Sequence, residues 1–179
     1  MSVLIELDRI RDRLSAPGQP FELTDAEVKG ATLRVYKNLP PNLTHLLVEA
    51  LAHGDRTFLV TGERRLTYRE TLERAAGLAR ILQREYGVGP GTRAAIAGRN
   101  SAEWVLAFFA ILLAGATATL VNSRGAPDEM IHAIQDTECT LLIADPKRAT
   151  AIRPGFQGPV IVTDPSGEFL SEDGRALAI

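Results

Sequence analysis

Apolar positions along this chain fall into short runs whose period switches between helix-like and strand-like. Residues 2–14 set Val3, Leu7, Ile10 and Leu14 on one helical face and charges on the other. This spacing predicts an amphipathic helix that must dock on something. Ser15-Ala16-Pro17-Gly18-Gln19-Pro20 ends it. Extended runs over residues 21–28 and 32–36 flank Lys29-Gly30, which reads as a hairpin turn because glycine tolerates positive φ. Pro40-Pro41 breaks the chain. Asn42 or Thr44 then caps a helix through Ala52 with Leu43, Leu46, Leu47 and Ala50 as its apolar stripe. Residues 57–61 and 64–66 read as a second hairpin about Gly62.

From Thr67 the pattern becomes regular. Thr67 and Glu70 have capping-box spacing, and Leu72, Ala75, Ala79, Leu82 and Tyr86 form the buried face of a long helix that Gly87 ends. Residues 93–97 read as a short strand. Asn100 or Ser101 caps a helix from Ala102 to about Ala114, and Gly115 turns the chain into a strand over residues 117–121. Pro127-Asp128-Glu129 opens a helix, with proline in its first turn and acids at its positive end. Residues 139–144 and 159–163 read as buried strands. The alternation predicts an α/β fold: a mainly parallel sheet with helices on both faces, preceded by the amphipathic helix and β-hairpins. The expected division is an N-terminal helix and hairpin extension, residues 1–39, and an α/β subdomain, residues 40–179.

Composition narrows the function. Hydrophobic residues make up 45% and charged residues 23%, with a net charge of −2, so the chain carries no global attraction to nucleic acid or anionic lipid. No nucleic-acid partner is expected. Cys139 is the single cysteine, which excludes an intrachain disulfide, and Cys139-Thr140-Leu141-Leu142-Ile143 places it in a buried strand. Glu6, Asp8 and Arg9 interrupt any signal-peptide pattern, so a cytoplasmic location is expected. Residues 104–121 run 18 positions without a charge, a length near that of a membrane span. Gly115, Thr117 and Thr119 break the run into a buried helix, a turn and a strand, so no transmembrane segment is expected.

Candidate chemistry is sparse. Gly87-Val88-Gly89-Pro90-Gly91 follows a helix and opens a strand, the reverse of a dinucleotide fingerprint, and reads as a helix stop. A nucleotide-binding oxidoreductase therefore lacks its signature. The sequence contains no P-loop and no nucleophile elbow. His45, His53 and His132 are scattered, so no metal ligands are assigned. Asp128 and Glu129 are explained as helix-start acids, and Trp104 as core packing. Asn100 and Asn122 each follow a buried strand, where open parallel sheets gather their ligands. They are the two crevice candidates, with a helix cap (Asn100) and a turn (Asn122) as their structural alternatives. No catalytic residue is assigned.

The order of these pieces resembles the N-terminal portion of AMP-forming acyl-CoA synthetases, the adenylate-forming ligases. Leu66-Thr67-Tyr68-Arg69-Glu70 looks like the family's L-[TS]-Y-x-E motif, and Leu112-Leu113-Ala114-Gly115-Ala116 like its helix-to-strand Ala-Gly motif. Between them, Gly87 to Ile96 resembles GVGPGDRVAI and Asn100-Ser101-Ala102-Glu103-Trp104 resembles NSPEW. Asp136 with Leu141-Leu142-Ile143-Ala144-Asp145 is similar to the D-x-x-A-x-x-L-I-x-D end of the region. The resemblance covers roughly residues 40–165. Residues 16–38 are similar to the extension of some fatty-acid–CoA ligases. Thr119-Leu120-Val121-Asn122-Ser123 departs from the usual Val-Pro-Leu-Asn, and Ala102 stands where proline is usual.

The resemblance implies an enzyme that activates a carboxylic acid with ATP to an acyl-adenylate and passes the acyl group to coenzyme A (CoA). The implied cofactors of the full-length enzyme are ATP, Mg2+ and CoA, with none expected on this chain. The family's phosphate-binding loop, adenine-site motifs and C-terminal lysine have no counterpart in these 179 residues. The expectation is an N-terminal subdomain truncated before the phosphate loop and inactive alone. Its partners would be the remainder of the ligase, that is, the downstream AMP-binding and C-terminal domains. An apolar face left open by truncation would support a homodimer. The alternative from another class is a natural stand-alone assembly or regulatory module.

Overall fold

In the computed structural model, which describes residues 3–164 and 166–179, helix α1 runs over Val3–Leu14 with no buried residue. Strands β1 (Leu23–Val28) and β2 (Ala31–Tyr36) pair antiparallel, with Val28 opposite Ala31 across the predicted Lys29-Gly30 turn. Both turn residues take positive φ, 50° and 83°, which matches the twist of a two-residue hairpin. The register puts Asp25 beside Arg34 and Glu27 beside Thr32 on one face. Ala26 with Leu33, and Val28 with Ala31, lie on the other. These elements belong to a unit ending at Asn42; a second unit spans residues 43–179.

The second unit opens with α2 (Leu43–Ala50), of which only Leu47 is buried. Thr44 lies inside this helix and donates to Leu112 O instead of capping it. Strands β3 (Thr57–Thr61) and β4 (Arg64–Thr67) form the expected hairpin about Gly62. Helix α3 (Tyr68–Tyr86) starts on the predicted capping box: Thr67 Oγ1 accepts from Glu70 N–H at 3.1 Å, and Glu70 Oε2 accepts from Thr67 N–H at 2.8 Å. Gly87 ends it in the left-handed conformation, so the Gly-rich stretch is a helix stop. Thr92 Oγ1 closes the following loop, accepting from Gly89 N–H and donating to Gly89 O. The chain continues through β5 (Arg93–Ala97), α4 (Ala102–Leu113), β6 (Thr117–Leu120), α5 (Pro127–Asp136) and β7 (Leu141–Ala144). It ends with α6 (Pro146–Ile152), β8 (Val160–Thr163) and β9 (Phe169–Leu170).

These strands form one five-stranded sheet in the order β6-β5-β7-β8-β9, parallel except for β9. Strand alternation feeds two cores. Ala94, Ile96, Leu141, Ile143 and Ile161 pack against α3 and α4 on one face. Ala95, Ala97, Leu142, Ala144 and Val160 pack against α5 and α6 on the other. The mainly parallel sheet with helices on both faces is thus present. The apolar run over residues 104–121 divides as expected into α4, a turn at Gly115 and β6, and no described helix is long and apolar enough to cross a membrane.

Cys139 corrects an expectation. It precedes β7 and is half-buried, not a buried strand residue. Helix α5 ends in a Schellman motif: Glu138 N–H donates to Gln135 O and Cys139 N–H to Ile134 O, both at 3.0 Å. The motif needs a left-handed residue, and Glu138 supplies it at φ 51°. An L residue is strained there, and its exposed ion pair with Arg93 returns little. Glu138→Gly is therefore expected to raise stability by about 0.5 kcal/mol, read as a higher urea midpoint at unchanged m-value.

Candidate functional site

Strands β5 and β7 are neighbours whose following connections diverge, α4 leading outward to β6 and α6 to β8. Such a topological switch point leaves a crevice at the carboxyl ends of the strands. A mainly apolar cavity of about 220 Å³ lies there, lined by Ile96, Trp104 and Ile143 but also by Glu103, Asp145 and Asp164. Trp104 is half-buried and stacks on Phe108 with centroids 5.8 Å apart, so it packs against the core and also forms a wall of the cavity.

Beside it is a polar pocket of about 400 Å³, lined by Arg99, Asn100, Asn122, Ser123, Arg124 and Arg148. The two sequence candidates, 22 positions apart, therefore share one pocket because β5 and β6 are parallel neighbours. Their structural alternatives divide. Ser101, not Asn100, caps α4, its Oγ accepting from Trp104 N–H at 3.1 Å. Asn122 does shape a turn, its Oδ1 accepting from Arg124 N–H at 3.1 Å.

Asp145 ties the two cavities together. Its carboxylate accepts from the N–H groups of Arg99 (3.2 Å) and Arg148 (2.9 Å) and from Arg148 Nη1 (3.2 Å). It thereby caps α6 and pins the loop after β5. Arg148 also donates from Nε and Nη2 to Ser123 O at 2.9 and 2.7 Å, fixing the loop after β6. Its guanidinium is a strut. Arg99 and Arg124 are exposed, and among the described residues their guanidinium groups have no ion-pair partner. Two uncommitted guanidiniums and two carboxamides make an anion-binding donor set, one that fits a phosphate-bearing cofactor. Among the described residues no group of three or more His, Cys, Asp or Glu could hold a metal ion by itself.

Sequence reasoning places Asp145 at the end of a family motif but gives it no role, and it misses the three arginines. Arg148 comes from a seven-residue helix too short for a periodic signal. A signal for the other two exists in strand-end sequences of the same composition, Gly98-Arg99-Asn100-Ser101 and Asn122-Ser123-Arg124-Gly125.

The family model for AMP-binding enzymes matches residues 47–176. This chain belongs to that family. It is 35% identical over 103 residues to the medium/long-chain-fatty-acid–CoA ligase FadD6 of Mycobacterium tuberculosis, covering 58% of this chain and 17% of the relative. It is 37% identical over 116 residues to bacitracin synthase 1 of Bacillus licheniformis, covering 63% of this chain and 2% of that protein. Among solved structures, it aligns with a Rhodopseudomonas palustris protein assigned as a long-chain-fatty-acid CoA ligase. The TM-score is 0.62 at 29% identity, covering 69% of this chain and 33% of the other. The architecture is that of the N-terminal subdomain of adenylate-forming ligases, and the chain spans a third or less of these relatives.

Proposed function

We propose that this chain is the N-terminal subdomain of an ATP-dependent fatty-acid–CoA ligase. In that reaction a carboxylate oxygen attacks the α-phosphorus of ATP and pyrophosphate leaves. The thiol of CoA then attacks the acyl carbon, forming the thioester as AMP leaves. The observation that carries the reading is the apolar cavity beside the pocket of Arg99, Asn100, Asn122 and Arg124 at the switch point. An apolar acid activated through phosphate chemistry presents those two surfaces. The names of the Mycobacterium tuberculosis and Rhodopseudomonas palustris relatives favour a fatty acid.

In this reading Arg99 and Arg124, with the two carboxamides, hold the phosphate groups of a nucleotide cofactor. The downstream AMP-binding and C-terminal domains supply ATP and Mg2+ contacts, the setting is cytoplasmic, and two chains form a homodimer. The chain alone then forms neither acyl-adenylate nor thioester. A stand-alone assembly or regulatory module is the second reading. It is favoured by Ser101, Asp145 and Arg148, whose polar atoms at the crevice are engaged in caps and loop struts.

Calorimetric titration of the chain with CoA and with inorganic pyrophosphate tests the pocket. Binding is expected for both, weakened about 5–10-fold by either Arg99→Ala or Arg124→Ala. Binding unchanged in both variants would remove the anion role. Acyl-adenylate made from ATP and a fatty acid by the purified chain would overturn its inactivity alone.

A further inference from the structure

We propose that the N-terminal unit is a self-association surface in which α1 packs antiparallel against α1 of a second copy of this chain. This names the surface of the homodimer in the reading above. It stands apart from that reading's chemistry, because a sizing experiment and a ligand titration fail independently.

Helix α1 carries Val3, Leu7, Ile10 and Leu14 at successive spacings of four, three and four, the seam of a two-helix coiled coil. Val3 is 75% exposed, Leu7 55%, and Ile10 and Leu14 37% each. The unit cannot bury this seam with a core of its own, since one short helix and one two-stranded hairpin are marginal in water. The apolar hairpin face is open as well, with Val28 and Leu33 exposed.

Charge identifies the occupant. Residues 1–42 hold six acidic and six basic side chains. A neutral surface gives no preference for an anionic membrane or a nucleic acid and no self-repulsion between copies. Within α1, Arg11 is already engaged by Asp8 and Asp12, both at 2.9 Å. Glu6 and Arg13, seven residues apart, flank the seam on one side, and among the described residues neither has an ion-pair partner. An antiparallel second copy sets Glu6 of one helix beside Arg13 of the other, twice by symmetry. It also pairs Val3 with Leu14 and Leu7 with Ile10 across the seam, and opposes the helix dipoles favourably. A 12-residue helix is about 18 Å long, so the helix pair alone falls short of a stable interface of roughly 800 Å² per partner. The hairpin's apolar face supplies the remainder.

Light scattering of the chain between about 1 and 300 μM tests the assignment, the micromolar range being where an interface of this size dissociates. The mass is expected to rise from 19.4 kDa toward twice that value. The double variant L7E/I10E should remain monomeric with its helix content retained by circular dichroism. E6R should weaken association about 5-fold or more by opposing two like charges, and adding R13E should restore it. In a parallel pair E6R would oppose Arg11, which R13E leaves unchanged, so restoration selects the antiparallel arrangement. A wild-type monomer across the range, an unaffected L7E/I10E, or a double swap as weak as E6R would each overturn the proposal. So would capture by anionic vesicles with no change of mass in solution.

Discussion

Gly115→Val is expected to lower the unfolding free energy by about 3–4 kcal/mol, roughly 10 °C in melting temperature. Gly115 ends α4 in a Schellman motif: its N–H donates to Leu112 O and that of Ala116 to Ile111 O, at 3.0 and 3.1 Å. Its φ is 83°, where a β-branched residue is strained by about 2 kcal/mol. A Cβ there would also lie 3.3 Å from Pro90 Cγ. Pro90 belongs to the loop that Thr92 closes, so it yields little. Gly87→Val is the control. Gly87 has φ 65° with nothing within 4 Å of the added Cβ, so it carries the backbone cost alone, about 2 kcal/mol. Equal losses in the two variants would show that the Pro90 contact contributes nothing. The consequence reaches the crevice, because this turn leads into β6, whose far end carries Asn122 and Arg124.

The same glycine shows what is legible in the sequence. Ala114-Gly115-Ala116 signals a helix stop followed by a strand, and Thr67 with Glu70 signals a helix start; both signals are local and both structures form. What escapes is set by distant partners or carried by atypical residues. Strand β9 is two residues long and is set by its partners, β8 on one side and a bridge from Leu170 to Ala176. The left-handed position at Glu138 carries no glycine to announce it, so the apolar run places the strand start at Cys139 instead of Leu141. Helix α6 does leave a signal in Asp145-Pro146, a cap followed by proline, but directly after the run over residues 139–144 that reads as a strand.

The crevice is half legible for a related reason. Position at a strand end picks out Asn100 and Asn122 without any contact information, since parallel sheets place such ends on one edge. The arginines beside them require knowing which guanidinium groups are committed. Arg148 is held by Asp145 and Ser123, whereas Arg99 and Arg124 are uncommitted, and sequence alone ranks the three equally.

Arg64→Ala is expected to cost about 3 kcal/mol, and Glu103→Ala about half that, although both remove the same ion pair. Arg64 Nη1 lies 2.6 Å from Glu103 Oε1 and joins the β3–β4 hairpin to the first turn of α4. The two side chains differ in burial, Glu103 being 9% and Arg64 32% exposed. Removing Glu103 leaves a guanidinium that turns to water. Removing Arg64 leaves a carboxylate enclosed, with only the helix N-terminus to offset its charge. Replacing both residues with apolar ones, in R64M/E103L, should recover most of the loss, because no group is then left unsatisfied. Gly167 offers a third handle: a Cβ there would collide with Arg64 Nη1 and lie 2.9 Å from Glu103 Oε1, so Gly167→Ala presses on the pair in addition to the backbone strain an L residue carries at φ 96°. Urea unfolding of the wild type and these four variants reads the differences directly. Equal costs for the two single substitutions would place the pair's contribution in their mutual attraction and not in the burial of Glu103. The carboxylate's place explains why this matters for function. Glu103 lines the apolar cavity beside Trp104, so the pair that closes the hairpin over α4 also holds one wall of the crevice.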